Sequence, residues 1–208
     1  MNIEKMTAYH TTNKESANRI INAQCFKPSP KEKGHWLGSG VYFYVDIYFA
    51  IQWGIIGVIK TKKIEDYNIY KEKCDIISAD INFKDYEVLD LSVPEGYELF
   101  NEILKIVKKK DIEEYNRIKE KDDAYKIKVL ERLEREYNKK IFSIFDIVYA
   151  EYENNIYKKR RKEKSDFLGC TEKQICVKNK NAISNINKID LEEEKDIFKI
   201  VKKNRSEV

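Results

Sequence analysis

Residues 37–46 read Leu37-Gly38-Ser39-Gly40-Val41-Tyr42-Phe43-Tyr44-Val45-Asp46. Two glycines around a serine make a turn, and the β-branched and aromatic run after them predicts a strand over Val41–Tyr44. Asp46 predicts the N-cap of a helix over Ile47–Trp53, because its carboxylate can accept from an orphan N–H of the first turn, and Gly54 ends that helix. Upstream, Ala8-Tyr9-His10-Thr11-Thr12-Asn13 repeats the arrangement. A strand over Met6–His10 leads to Asn13 as N-cap of a helix running to about Gln24, with Ala17, Ile20 and Ile21 on one face. Strand and helix alternate from the start, as in a mixed fold.

Further along, Ile55–Thr61 is β-branched and apolar and predicts a buried strand; Cys74–Ala79 and Tyr86–Leu91 predict two more. From Pro94 the composition changes. Residues 95–110 and 112–139 are rich in lysine and glutamate, with Leu99, Ile103, Ile106 and Val107, then Ile127, Leu130 and Leu133, at helical spacing. They predict amphipathic helices with a wide polar face. Residues 141–152 are more apolar and pack on the core, Lys173–Lys178 is a last strand, and a short turn or helix follows near Ala182. The order predicts an α+β fold, one domain over residues 1–208 with a helical insertion at about 95–152.

The chain has 208 residues, 42% hydrophobic and 37% charged. That apolar content supports a buried core, so the charge belongs to solvated helices rather than to a disordered chain. The net charge of +4 decides nothing alone, but basic residues cluster at Lys108–Lys110 and at Lys158-Lys159-Arg160-Arg161-Lys162. Such runs are most often solvated faces. The four cysteines contain no Cys-x-x-Cys pair and only His10 and His35 stand beside them, so no zinc set assembles and no metal is expected. Neither a basic-then-apolar leader nor an apolar run of about 18 residues is present, which predicts a cytoplasmic protein with reduced thiols and no membrane partner.

A third stretch, Glu172-Lys173-Gln174-Ile175-Cys176-Val177-Lys178, completes a pattern. Each piece has a plain reading alone. A histidine at a strand end is usually a hydrogen-bonder, a Gly-x-Gly without a third glycine is as often a turn as a ligand loop, and a glutamate beside a strand is usually solvated. Combination and order say more. Tyr9-His10-Thr11-Thr12, a helix, then Gly40-Val41-Tyr42-Phe43 with Asp46 and a downstream Ala50, resembles the ADP-ribosyltransferase superfamily, in the branch of the poly(ADP-ribose) polymerases and diphtheria toxin. That branch carries a histidine, a tyrosine and a glutamate on three separate strands. The resemblance covers roughly residues 7–91 and 170–186 and leaves the helical stretch 95–152 without a counterpart. Thr11 stands where the family has glycine, and Gln174 stands at the place of its glutamate. Glu172 lies two residues earlier. In a strand, residues i and i+2 share a face, so both can point into one pocket.

The resemblance implies an ADP-ribosyltransferase-like split antiparallel β-sheet core. It also implies cleavage of the nicotinamide–ribose bond of NAD⁺, the co-substrate, through an oxocarbenium-like transition state. Tyr42 would stack on nicotinamide, with Trp53 as the opposite wall. Thr11 would bind the carboxamide through its backbone, with Thr12 and Gly40 beside it, and His10 would bond a ribose hydroxyl of the adenosine half. Glu172 would bring charge and Gln174 position to the reacting ribose, since a glutamine cannot act as a base. The implied activity is mono-ADP-ribosyl transfer to a macromolecular acceptor. Nucleic acid is favoured over protein, because the run Lys158, Lys159, Arg160 and Arg161 attracts phosphate, and Tyr152 and Tyr157 can stack bases. His35-Trp36 belongs to a loop beside the NAD⁺ site. A small transferase of this kind is expected as a bacterial or phage toxin or defence effector with an antitoxin or inhibitor protein as partner. The alternatives are a catalytically inactive module that binds NAD⁺ or nucleic acid, and an NAD⁺ glycohydrolase in which water replaces the acceptor.

Overall fold

Nine residues, Lys5–Asn13, form the first strand, β1, in the computed structural model, which describes residues 4–27, 36–60, 66–110, 112–153 and 171–206. Asn13 then caps α1 (Lys14–Ala23), its side chain accepting from the Ser16 N–H at 2.8 Å, and Gln24 closes the helix in the left-handed region at φ 46°. Next come β2 (Val41–Tyr44) and α2 (Ile47–Trp53), the latter capped by the Asp46 carboxylate on the Tyr48 N–H. These elements match the sequence-based expectation to within a few residues. The basic run Lys158–Arg161, Tyr157 and His35 fall outside the described residues.

The expected buried strand over Ile55–Thr61 is corrected: Gly54–Val58 is a π-helical turn that continues α2, with Gly54 right-handed at φ −54°. A short apolar run does not reveal its period, so helical and extended burial look alike in sequence. Gly54 is required by space, since a Cβ there would meet the Tyr70 hydroxyl at 2.6 Å and Thr11 Cγ2 at 2.9 Å. Beyond it lie α3 (Tyr67–Lys73), β3 (Cys74–Asn82), β4 (Val88–Asp90) and α4 (Pro94–Lys110). The stretch 112–139 is two helices, α5 (Ile112–Ile118) and α6 (Asp123–Tyr137), because the Asp122 carboxylate accepts from the Tyr125 N–H at 2.8 Å and starts a new one. The chain ends with β5 (Ile147–Glu153), β6 (Thr171–Val177), a 3₁₀ turn at Lys180–Ala182, β7 (Ile183–Lys188) and α7 (Lys195–Ser206).

Among the described residues seven strands make one sheet, in the order β4-β5-β6-β2-β1-β3-β7. All neighbours are antiparallel except β4 and β5, which are parallel. A parallel pair needs a crossover, and α4–α6 supply it, so the α+β fold carries a mixed sheet where a wholly antiparallel one was expected. Pairing is uneven. β1 meets β3 through nine registered residues but meets β2 through a single pair, Tyr9 opposite Tyr44. The ladder thus nearly parts into β4-β5-β6-β2 and β1-β3-β7.

One face of the sheet is covered by α1 and Phe26, over Ala8, Phe43, Ile77 and Ile175. The other face carries two clusters. Helices α4–α6 and the loop that follows them pack Phe100, Leu130 and Phe142 over Val148, Ala150 and Cys176. Helices α2, α3 and α7 pack Phe49, Tyr70 and Phe198 over Tyr44 and Ile76. Gln174 stands opposite Tyr44 on one side and Ala150 on the other, so the boundary between these two clusters runs along β2 and β6. Among the described residues no helix is long and apolar enough to cross a membrane.

Gly40 is a second glycine set by space: a Cβ there would lie 2.6 Å from Cys176 Sγ and 2.8 Å from the Val177 carbonyl oxygen. That oxygen belongs to the central β2–β6 pair and has little room to withdraw. Gly40→Ala is expected to cost about 1–3 kcal/mol, more than the about 0.4–1 kcal/mol that alanine gains from chain entropy. A urea midpoint at or above that of the parent chain would refute this packing account.

Candidate active site

Strand β6 brings Glu172, Gln174 and Cys176 to one face, because alternate residues of a strand share a side. Glu172 and Gln174 are only 6% and 5% exposed. A buried carboxylate needs donors, and β5 supplies one: Tyr152 stands opposite Glu172 and donates its hydroxyl to Glu172 Oε1. Gln174 Nε2 donates to the same oxygen at 2.7 Å and to the Tyr152 hydroxyl at 2.8 Å. Gln174 Oε1 accepts from Trp36 Nε1 at 2.8 Å. An indole nitrogen only donates, so chemistry fixes the amide with its oxygen toward Trp36 and its nitrogen toward Glu172. The Trp36 and Tyr152 rings meet edge to face at 4.7 Å. Burial, then the bond to Glu172, push the Tyr152 hydroxyl well above the usual phenol range; burial and the Glu172 charge do the same for Tyr44. Both phenols therefore stay protonated at neutral pH.

Tyr42 lies on the same face of the sheet but serves the 36–40 turn. Its hydroxyl accepts from the Leu37 N–H and donates to the Gly38 carbonyl, each at 2.8 Å. Its ring packs against the cluster built by α4–α6. Gly38 sits at φ 91°, where a side chain would be strained. From α6, Glu131 accepts from the Ser39 N–H at 2.6 Å and from its hydroxyl at 3.2 Å. Tyr42 and Glu131 together hold the turn that delivers Trp36 to Gln174.

His10 leaves β1 on the opposite face, edge-on to Phe26 at 5.2 Å and 5.8 Å from Phe43. Its Nδ1 lies 2.8 Å from the Tyr42 carbonyl oxygen. A carbonyl only accepts, so Nδ1 carries the proton and the neutral ring keeps its lone pair on Nε2. This bond ties β1 to β2 beyond their single backbone pair. Burial lowers the His10 pKa, while the bond to Tyr42 raises it by less. Thr11 donates its hydroxyl to the Ala50 carbonyl at 2.6 Å and so docks α2 on the sheet. In the β1–β3 ladder, Thr11 stands opposite Ile76 and Thr12 opposite Asp75. Trp53 is 46% exposed and its ring covers Gly57.

The structure thus brings Glu172 and Gln174 together, as the strand period predicts, and joins His10 to Tyr42 through a side-chain-to-backbone bond. It sets the His10 and Tyr42 side chains on opposite faces of the sheet, and Tyr42 and Trp53 are each packed by their own neighbours. The absence of a side chain at Gly40 serves the contact with β6. Tyr152, expected to stack bases, turns inward to the carboxylate. Sequence reading misses Tyr44 and Tyr152 as neighbours of Glu172 because that needs the register of β5 and β2 on β6. A histidine–tryptophan pair in a loop places Trp36 near the site but does not reveal its acceptor.

Against known proteins, the chain is 28% identical over 213 residues to an uncharacterized protein of Methanocaldococcus jannaschii, across 96% of this chain and 94% of that one. No protein-family model matches the chain, and no solved structure gives a significant match.

Burial holds the folded His10 pKa below the ordinary imidazole value of about 6.5. Between those two values the unfolded chain binds more protons. The stability contributed by the neutral imidazole is therefore complete above about pH 6.5 and is lost as pH falls toward the folded value. His10→Gln is expected to flatten the fall in urea midpoint between about pH 7.5 and about pH 5; an unchanged slope would assign that fall to other groups. Gln174→Leu should cost about 1–3 kcal/mol, because Trp36 loses its acceptor and Glu172 a donor. Thermal unfolding at the parent temperature would show that the network contributes nothing to stability.

Proposed function

We propose that this protein is an NAD⁺-dependent mono-ADP-ribosyltransferase whose acid is Glu172, held in place by Gln174, Tyr152 and Trp36. The observation that carries the reading is the buried carboxylate–amide pair on β6, which adjoins β2, which adjoins β1. The strands bearing the three motifs are consecutive neighbours. The near parting of the ladder between β1 and β2 further supports the split core that the resemblance implies.

The groups suit the nicotinamide–ribose end of NAD⁺. Glu172 offers a carboxylate to a ribose hydroxyl and to the positive charge that develops as the glycosidic bond breaks. An oriented group of this kind in a water-poor site is worth on the order of 3 kcal/mol of barrier. Gln174 takes up no proton; it orients Glu172. Tyr152 is a neutral donor that keeps the carboxylate in place. Trp36 and Tyr44 are the aromatic rings beside the acid, and Tyr42 acts in this reading by bracing the turn that carries Trp36. His10 lies on the opposite face of the sheet from Glu172 and acts in this reading by tying β1 to β2. The remaining expectations rest on the sequence alone: a nucleic-acid or protein acceptor, contacts from Thr11, Thr12, Gly40 and Trp53, a toxin or defence role with an inhibitor partner, and a cytoplasmic location.

A second reading has its own support. Glu172 Oε1 already takes donors from Tyr152 and Gln174, and a carboxylate engaged in this way suits a rigid module holding NAD⁺ without cleaving it.

Incubation with adenylate-labelled NAD⁺ and a cell lysate separates these readings. Nicotinamide release with label in a macromolecule is the expected result, and nuclease or protease treatment names the acceptor class. Release without labelling would identify a glycohydrolase, and intact NAD⁺ with no label would favour the binding module. Glu172→Gln should lower release about 100- to 1,000-fold while the melting temperature holds. Full activity in that variant would remove Glu172 from the chemistry.

A further inference from the structure

A cleft of about 510 Å³ opens between α6 and the end of β6, lined by Lys128, Arg132, Arg135, Lys178 and two glutamates, Glu131 and Glu134. Its volume falls in the range of small-molecule sites, about 300–1,000 Å³. The glutamates are turned to backbone donors. Glu131 binds Ser39, and Glu134 Oε1 accepts from three successive N–H groups, Ile141 at 2.5 Å, Phe142, and Ser143 at 2.6 Å. Arg132 is bound to Glu114 at 2.7 Å and faces Glu136 at 3.5 Å. The other three cations have no ion-pair partner among the described residues. Arg135 Nε donates to the Glu131 backbone carbonyl at 3.2 Å. Lys178 Nζ lies 3.6 Å from the centre of the Phe142 ring and 3.3 Å from the Phe142 carbonyl oxygen.

Lys178 is the telling group. Burial lowers its pKa, and the nearby Cys176, Glu131 and Glu134 only partly restore it. A half-buried ammonium without a paired anion is an unfavourable arrangement that a bound anion would relieve. Lys128, Arg132 and Arg135 follow one another at i, i+4 and i+7 on one face of α6, spread along about 10 Å of its axis. That spread suits a ligand with more than one anionic group better than a lone carboxylate. Tyr125, which also lines the cleft and is 36% exposed, offers a flat ring at the rim.

We propose that this cleft binds a phosphate-bearing ligand of nucleotide size, held by Lys178 together with Lys128 and Arg135. The site does not rest on the transferase reading. Its cations Lys128, Arg135 and Lys178 make no bond to Glu172, Gln174, Tyr152 or Trp36, and Lys178 lies six residues beyond Glu172, about 20 Å along the strand direction.

Calorimetric titration of the full chain with inorganic pyrophosphate, ADP and a short single-stranded oligoribonucleotide tests the proposal. Pyrophosphate and ADP are expected to bind, more weakly as salt rises. The variant Lys128→Ser/Arg135→Ser is expected to weaken both by about tenfold or more, with an unchanged melting temperature. Lys178→Met should do the same; should it fail to fold, the exposed double variant carries the test. The proposal is overturned by no binding of either probe, by equal affinity in the double variant, or by binding of the oligoribonucleotide without ADP and pyrophosphate. Nicotinamide release by the double variant reads the other site independently.

Discussion

A strand turns every second side chain to the same side, and on β6 that rule sets a carboxylate, an amide and a thiol in a row facing the two helical blocks. Burying a carboxylate there is tolerable only with donors at hand. Tyr152, Gln174 and Trp36 meet that demand in a chain of bonds that leaves no choice about the orientation of the amide. Most of the surrounding architecture serves this arrangement. Strand β5 must be in register to bring Tyr152 opposite Glu172, and the 36–40 turn must be held for Trp36 to reach across.

The second constraint is the weak seam in the sheet. β1 belongs to β3 along its whole length and to β2 at one pair, so the contact between the two halves depends on side chains. His10 crosses it with a single bond to a backbone carbonyl, and Thr11 anchors α2 above it through another. Hydrogen bonds of this kind contribute only about 1 kcal/mol each, so the apolar packing of Ala8 with Val41 and Phe43 across the seam carries much of the contact.

The helical stretch between β4 and β5 takes part in the site. It provides the crossover that makes β4 and β5 parallel, and through Glu131 it clamps the turn carrying Trp36. Helix α6 also presents cations to a separate cleft, beside Lys178, the residue that follows the strand bearing Glu172. One face of β6 thus runs from a buried acid to a half-buried base.

Local chemistry made much of this legible. Asn13, Asp46 and the run Val41–Tyr44 announce two helix starts and a strand, because caps and β-branched or aromatic runs act over a few residues. The pairing of Glu172 with Gln174 followed from the strand period alone. Ile55–Val58 was misread because helical and extended burial have the same composition over so short a run. Three facts lay beyond the sequence: Tyr152 and Tyr44 beside Glu172, His10 and Tyr42 on opposite faces, and the α6 cations beside Lys178. Each depends on how strands far apart in the chain are paired and which face they turn. That pairing is a cooperative choice of the whole core, and no single stretch of residues encodes it.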